Sequence, residues 1–442
     1  MQNKLETKQI SFLFLEYVVP AVLSMVLAGI QPMIDGLFLG RYASTNAMAS
    51  VNIAVPYMQI ILGCVMVLCT GTISFLGRTL GEKNKSSEKK AQDIFHTSLM
   101  TWLVISIILM ILGFCFNKQM AGLMGANHIL MTDTAHYIFV LSFFIPAIGL
   151  MILFGFTERL LGKPKLYLIA TIACLVCNII MDFIAIRILQ MGTIGAAFAT
   201  GFSYVVGFLI TCRSVFRKDS IINVYDGHFQ SKLLFHTLYN GSSEGITSVS
   251  AAVTIWLFNL ALMRYAGENG VAAFTVINYV GDFGVLIMFG VSDGIGSMVS
   301  YNYGAGHLKR VKNILYRALF LNFVIGIIFF IGLNLFSQQL IGIFFNGQND
   351  IVKMAIEGAR LYSFAFLLNG FNVIQSGYHT ALGNAGNSIL ISGSRGLVFI
   401  VLGMLLLPNL WGIKGVWITV PFAEVCTLIV CLAITVNGKR KN

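Results

Sequence analysis

Arg41-Tyr42-Ala43-Ser44-Thr45-Asn46-Ala47-Met48-Ala49 returns later in the chain as Arg264-Tyr265-Ala266-Gly267-Glu268-Asn269-Gly270-Val271-Ala272, with Arg, Tyr, Ala, Asn and Ala recurring 223 positions apart. The same offset carries Gly71, Ser74 and Gly81 onto Gly294, Ser297 and Gly304 without a gap. Each copy belongs to the second apolar run of its own half, and each is followed by a Lys/Arg cluster. A fainter echo sets Gly192 and Gly195 against Gly412 and Gly415, at short turns where Gly supplies the backbone angles other residues resist. In a membrane chain this pattern means two like bundles with a cavity between them.

That the chain is a membrane protein follows from its make-up: 57% hydrophobic and 11% charged residues over 442 positions, where a soluble protein carries roughly 25% charged. Twelve apolar runs are long enough to cross a bilayer, at about 12–38, 46–76, 94–116, 135–157, 165–189, 194–215, 236–263, 271–299, 313–336, 359–380, 387–408 and 413–436. They are predicted to be helices, since open strands leave backbone groups unsatisfied in lipid and no barrel-type alternation is present. The expected fold is an all-α integral membrane protein of twelve transmembrane helices, in two parallel-repeat six-helix lobes around a central cavity. Residues 1–216 form the first lobe, the polar stretch 217–235 a cytoplasmic linker, and 236–442 the second lobe. Six is even, so both lobes enter the membrane in the same direction.

The net charge of +11 sits where orientation requires it. With the N-terminus placed in the cytoplasm, 21 of the 29 basic residues lie on that side, including the clusters Arg78–Lys90, Arg159–Lys165 and Lys309–Arg317. This is the positive-inside bias; it places both termini in the cytoplasm of a cell-membrane protein and removes any need for a nucleic-acid partner. The first run has no small-residue cleavage site and reads as a retained helix. The eight cysteines lack ligand spacing, and Cys174-x-x-Cys177 reads as helix packing; no resident metal and no cofactor are expected.

Ionisable groups inside spans are costly and are functional candidates by default. Glu16, Asp35, Asp182, Glu244, Asp282, Asp293 and Glu424 fall within or at the margin of the runs, opposed only by Arg395. The surplus of acid points to cationic cargo. Asn178 and Asp182, at i and i+4, share a face of the fifth helix; Asp35 and Thr200 lie at similar depth on the first and sixth. Two carboxylates, an amide and a hydroxyl offer oxygen ligands for a small cation such as Na+, or a place where one proton is shared. The alternative is that Asp182 hydrogen-bonds a neighbouring helix and Asp35 reaches the outer interface. In the second half, Glu244, Asp282 and the polar stripe Asn369, Asn372, Gln375, Ser376 and His379 on the tenth helix are candidates to line a substrate cavity, with helix-to-helix bonding as the alternative. Glu424 is the expected partner of Arg395. Pro20 removes a backbone hydrogen bond and is expected to bend the first helix.

Gln31-Pro32-Met33-Ile34-Asp35-Gly36-Leu37-Phe38-Leu39-Gly40, Asn178 with Asp182, Thr200, and Ser300-Tyr301-Asn302-Tyr303-Gly304-Ala305-Gly306 resemble the multidrug and toxic compound extrusion family, in its DinF-like branch. The resemblance implies an antiporter that exports organic cations and drugs against inward flow of H+ or Na+. It also implies a cation site at Asp35, Asn178, Asp182 and Thr200, with Tyr137 resembling a further polar residue of that site and Pro20 a bending proline. Small organic cations and membrane lipid are the expected partners, and one chain the working unit. Two other readings compete. A flippase for a lipid-linked oligosaccharide shares this shape, but a pyrophosphate cargo calls for several cavity Arg or Lys, and only Arg395 is available. A membrane enzyme needs a nucleophile–base pair or a metal motif, and the chain offers neither.

Overall fold

The computed structural model describes residues 4–342 and 350–441; the side chains of Lys4, Lys439, Arg440 and Lys441, counted in the basic bias, lie outside the described ones. Among the described residues every regular element is helical, and the chain divides into two compact units. The first runs up to Gly241 and includes Ser300–Leu308; the second comprises Ser242–Val299 and the chain from Lys309 onward.

The first unit contains α1 (Lys4–Thr7), α2 (Ile10–Tyr42), α3 (Thr45–Gly81), α4 (Lys85–Cys115), α5 (Asn117–Leu123), α6 (Met131–Ser142), α7 (Ile145–Leu160), α8 (Pro164–Asp182) and α9 (Gly192–Val215). α10 (Ser231–Gly304) begins in it. The second unit carries most of α10, then α11 (Leu308–Leu335), α12 (Ser337–Gly342), α13 (Asp350–Ser363), α14 (Phe366–Leu382), α15 (Ala385–Gly393), α16 (Phe399–Trp411) and α17 (Ile413–Lys441). Twelve crossings follow among the described residues: α2, α3, α4, the pair α6–α7, α8, α9, the two arms of α10, α11, the pair α13–α14, the pair α15–α16, and α17. Their outward faces carry Leu37, Val104, Leu209, Phe320 and Leu405, exposed as lipid-facing positions are.

The repeated stretch marks the turn between the first two crossings of each half. In the first copy Ser44 caps α3, its hydroxyl accepting from the Ala47 amide at 3.0 Å. In the second copy the matching position is Gly267, whose φ of 60° and ψ of −152° break α10 into two arms. One turn is made by a side-chain cap and the other by glycine's freedom at positive φ. The fourth crossing bends by 50° between α6 and α7, where Pro146 in the first turn of α7 has no amide to return to the preceding turn.

Close packing in the first unit depends on small residues. A Cβ at Gly149 on α7 would lie 2.0 Å from the Trp102 ring of α4, whose indole N–H donates to the Pro146 carbonyl at 3.1 Å. Tyr57 on α3 and Ser142 on α6 share a hydroxyl hydrogen bond of 2.7 Å. The repeat partners Gly81 and Gly304 meet each other's helices: a Cβ at Gly304 would stand 1.9 Å from the Arg78 carbonyl oxygen, and one at Gly81 2.3 Å from that of Tyr301. Backbones approach this closely only where neither side brings a side chain.

Two polar anchors complete the unit. After α9, Asn223 folds the chain by accepting the Tyr225 and Asp226 amides at 2.9 Å, and Gln92 of α4 donates to its carbonyl. Asp93 accepts from the His228 amide at 2.9 Å and from the Gln230 side chain at 2.6 Å. The helix that follows already begins at Ser231, inside the stretch read as linker. At the N-terminus, Glu6 accepts from the Lys83 ammonium and lies 2.8 Å from His307 Nε2, while Asn302 donates to the carbonyl of the buried Leu5 at 3.1 Å.

Lys83, and next His307, hold the Glu6 carboxyl below its ordinary 4.5; Glu6 in turn holds the Lys83 ammonium above its ordinary 10.5. The contribution of Glu6 is therefore present above pH 4.5 and lost as pH falls through its lower folded value. That of Lys83 is present below 10.5 and lost as pH rises through its higher one. Glu6→Gln should accelerate amide hydrogen exchange over α1 at neutral pH, while the native chain should show the same acceleration only in acid or strong base; equal exchange at neutral pH would refute the anchor. Gly149→Val should cost about 1–3 kcal/mol of stability, read as a lower thermal midpoint of the purified protein.

Candidate functional site

The fifth crossing leaves α-helical geometry directly after Asp182: Phe183–Ile188 form a π-helical turn, with the Leu189 amide donating to the Ile184 carbonyl. Such turns widen a helix by one residue and recur at functional sites. Here the turn follows a face already bearing Asn178 and Asp182, both fully buried.

Asp35 of α2 and Thr200 of α9 come to that face. Thr200 Oγ1 donates to Asp35 Oδ2 at 2.9 Å. Asp182 and Asn178 lie near enough to act on Asp35 electrostatically, yet outside hydrogen-bonding geometry. Tyr137 of α6 completes the group, with Asp35, Asp182 and Thr200 as its polar neighbours. All five side chains are buried. Asp35 Oδ1, both Asp182 carboxylate oxygens and the Asn178 amide find no hydrogen-bond partner. Oxygens buried this way are costly unless something binds them. Two adjacent carboxylates in a low-dielectric site cannot both stand bare, and a cation or a shared proton relieves the repulsion.

The neighbourhood is more polar than the four-residue pattern suggested. Gln31, one turn before Asp35, is buried with its side-chain nitrogen unpartnered. Cys174, one turn before Asn178, donates to Ser203 at 3.2 Å, and Ser203 donates to the Thr200 carbonyl at 2.6 Å. The sequence signal for these was helical spacing from residues already chosen. Farther along α7, Glu158 is fully buried with Lys163 Nζ 3.8 Å away, and Arg159, read as a loop residue, lies buried between the rings of Phe156 and Tyr167 at 4.5 and 4.8 Å.

In the second unit the candidates separate. Asn369 and Asn372 donate to the Glu424 carboxylate at 3.0 and 2.7 Å, and Asn372 also to the Glu424 carbonyl at 2.9 Å. Arg395 Nε meets the same carboxylate at 2.9 Å. Ser376 bonds the Ser388 and Ser392 hydroxyls at 3.1 and 2.8 Å. These members of the polar stripe thus tie α14 to α15 and α17. Gln375 is buried beside them, and Glu244 stands half-buried with Asp293 and Arg395 as its charged neighbours. Asp282 is exposed on its helix, accepts from Asn278 at 2.8 Å, and shares Tyr362 as a neighbour with Glu424. Pro20 is buried inside α2, which continues through it as one helix.

Twelve helical crossings arranged as a repeat, with a buried oxygen cluster in one half, define a membrane transporter scaffold rather than an enzyme. The chain belongs to the MatE family, whose model matches residues 20–184 and again 246–405, one match in each half. It is 25% identical to the multidrug export protein MepA of Staphylococcus saprophyticus and 22% identical to that of Staphylococcus aureus strain MSSA476, each over 95% of this chain and 92% of the relative. Solved structures of the same fold include a MATE in a bent conformation (TM-score 0.90, 22% identity, 99% of this chain and 98% of that one). Others are a MATE in a straight conformation (0.90, 21%, 99% of both chains) and the outward-facing conformation of a multidrug resistance MATE family transporter (0.90, 21%, 99% and 98%).

Thr200→Val removes the hydrogen bond that Asp35 Oδ2 accepts, worth about 1.5–3 kcal/mol to a charged group, and should change the apparent affinity of a cation bound at this cluster by about tenfold or more. Thr200→Ser should restore it; equal affinities in native and Val variants would detach Thr200 from the site.

Proposed function

We propose that this chain is a secondary antiporter that exports organic cations and drugs in exchange for H+ or Na+, and that Asp35, Asn178, Asp182 and Thr200, with Tyr137, take up the driving ion. The observation that carries this reading is the pair of buried carboxylates, Asp35 and Asp182, with three oxygens that no group among the described residues satisfies. The multidrug export relatives supply the cargo class. The flippase reading loses its best residue, because Arg395 is already engaged by Glu424 and is not held free for a phosphate.

Exchange follows from differential binding. Protonation of the Asp35–Asp182 pair, or Na+ entry among its oxygens, removes a repulsion, so the ion favours whichever conformation brings these side chains together. The cationic substrate favours the other, and a ligand of equal affinity for both would move nothing. Pro20 leaves the Glu16 carbonyl without its helical donor, giving α2 a yielding point between its N-terminal end and Asp35. The bent and straight forms of the solved relatives fit a transporter whose helices change shape. The site thus works in a cell membrane, with both termini cytoplasmic, lipid around the apolar faces and one chain sufficient.

Asp182→Asn should abolish ion-driven efflux of a fluorescent organic cation from proteoliposomes, and Asp35→Asn should do the same; undiminished efflux in either would remove that residue from the coupling site. Imposing a pH gradient and then a Na+ gradient on the native protein identifies the ion, because only the coupled one drives concentration of the substrate.

A further inference from the structure

The second unit holds a polar cluster built on the same plan as the first. Tyr137, Asn178 with Asp182, and Thr200 stand on the fourth, fifth and sixth crossings; Asn369 with Asn372, Arg395, and Glu424 stand on the tenth, eleventh and twelfth. The fifth and eleventh crossings each carry a π-helical turn beside the charged residue, Phe183–Ile188 after Asp182 and Ser394–Val398 containing Arg395. Both clusters present a buried carboxylate to amide or hydroxyl groups. They differ in what fills them. In the first unit Asp35 Oδ2 accepts from Thr200, while Asp35 Oδ1 and both Asp182 oxygens have no partner among the described residues. In the second, Glu424 is 2% exposed and receives Arg395 and Asn369 on one oxygen, at 2.9 and 3.0 Å, and Asn372 on the other at 2.7 Å. The Arg395 guanidinium also lies over the Phe289 ring at 5.5 Å, where the ring face favours a cation.

We infer that Arg395 is a resident cation: it fills, from within the chain, a carboxylate-and-amide cation site in the second unit, and so keeps Glu424 from taking up an exchangeable proton or inorganic ion. A guanidinium is suited to the task because it does not release its proton at any pH the cell reaches. The titratable groups near this pair among the described residues are tyrosine, cysteine and acids. Tyr362 and Cys431 are near Glu424, Tyr362 has Asp282 and Arg395 as further neighbours, and Glu244 lies near Arg395 and near Asp293. Held by Arg395, Glu424 is thereby taken out of ion exchange. The assignment of Arg395 rests on contacts of the second unit alone; only the contrast with an exchangeable site rests on the function proposed above.

The test counts protonated carboxyls in the full-length protein in lipid vesicles, by the carboxylic-acid carbonyl stretch in infrared pH-difference spectra. Arg395→Ala should add one titrating band to the native spectrum, and Arg395→Ala/Glu424→Gln should remove it. Methylguanidinium should raise the thermal midpoint of Arg395→Ala while leaving the native protein and the double variant unchanged. The double variant removes both charges together and serves as the folded reference. Should Arg395→Ala fail to fold, the native protein and Glu424→Gln still decide the matter: a titrating band in the native spectrum that Glu424→Gln abolishes would show Glu424 holding an exchangeable proton and overturn the inference. No added band, together with no response to methylguanidinium, would overturn it equally. Asp182→Asn reports on the first unit in the same spectra, so loss of that assignment leaves this one standing.

Discussion

A charge inside a lipid-immersed bundle has to be answered, by an ion, a proton or another residue, because neither lipid nor apolar side chains solvate it. The chain answers this demand in two ways. Around Asp35 and Asp182 it gathers oxygens, three of which no described group satisfies, and the function proposed above gives them the driving ion. Around Glu424 it supplies the partner itself. Helix register, the wide turns and the close glycine contacts serve to bring these groups to their places and hold them there.

Those contacts also explain how so apolar a chain selects its helix pairings. Hydrophobicity cannot choose among helix pairings when the surrounding lipid is as apolar as leucine, so specificity falls to shape and to sparse polar bonds. Gly149 against Trp102, Gly81 against the α10 end at Tyr301, and Tyr57 with Ser142 are contacts of that kind. Each fails with one added methyl group or one lost hydroxyl.

Much of this was legible in the sequence, and the reasons are physical. Bilayer thickness fixes the length of a crossing, so the runs were readable; helical spacing placed Asn178 and Asp182 on one face. The duplicated turn was visible at Arg41 and Arg264, although not that Ser44 would cap a helix where Gly267 breaks one. What spacing cannot say is which neighbour a polar face meets. Asn369 and Asn372 formed a clear stripe, and only the packing of α14 on α17 shows both amides committed to Glu424. Arg159 followed the same logic in reverse: its charge suggested a loop, while the rings of Phe156 and Tyr167 enclose it. Gln31 and Ser203 were within reach of the same reasoning, each one turn from a residue already singled out.

The π-turns also set the register of everything beyond them. A helix carrying one surplus residue presents each later side chain about 100° further round the rod than an unbroken α-helix would, the angle between successive residues at 3.6 per turn. Asp182 stands at the start of such a turn and Arg395 within another. Counting by helical spacing therefore pairs Asn178 with Asp182 correctly, while the same count carried past either turn names the wrong face.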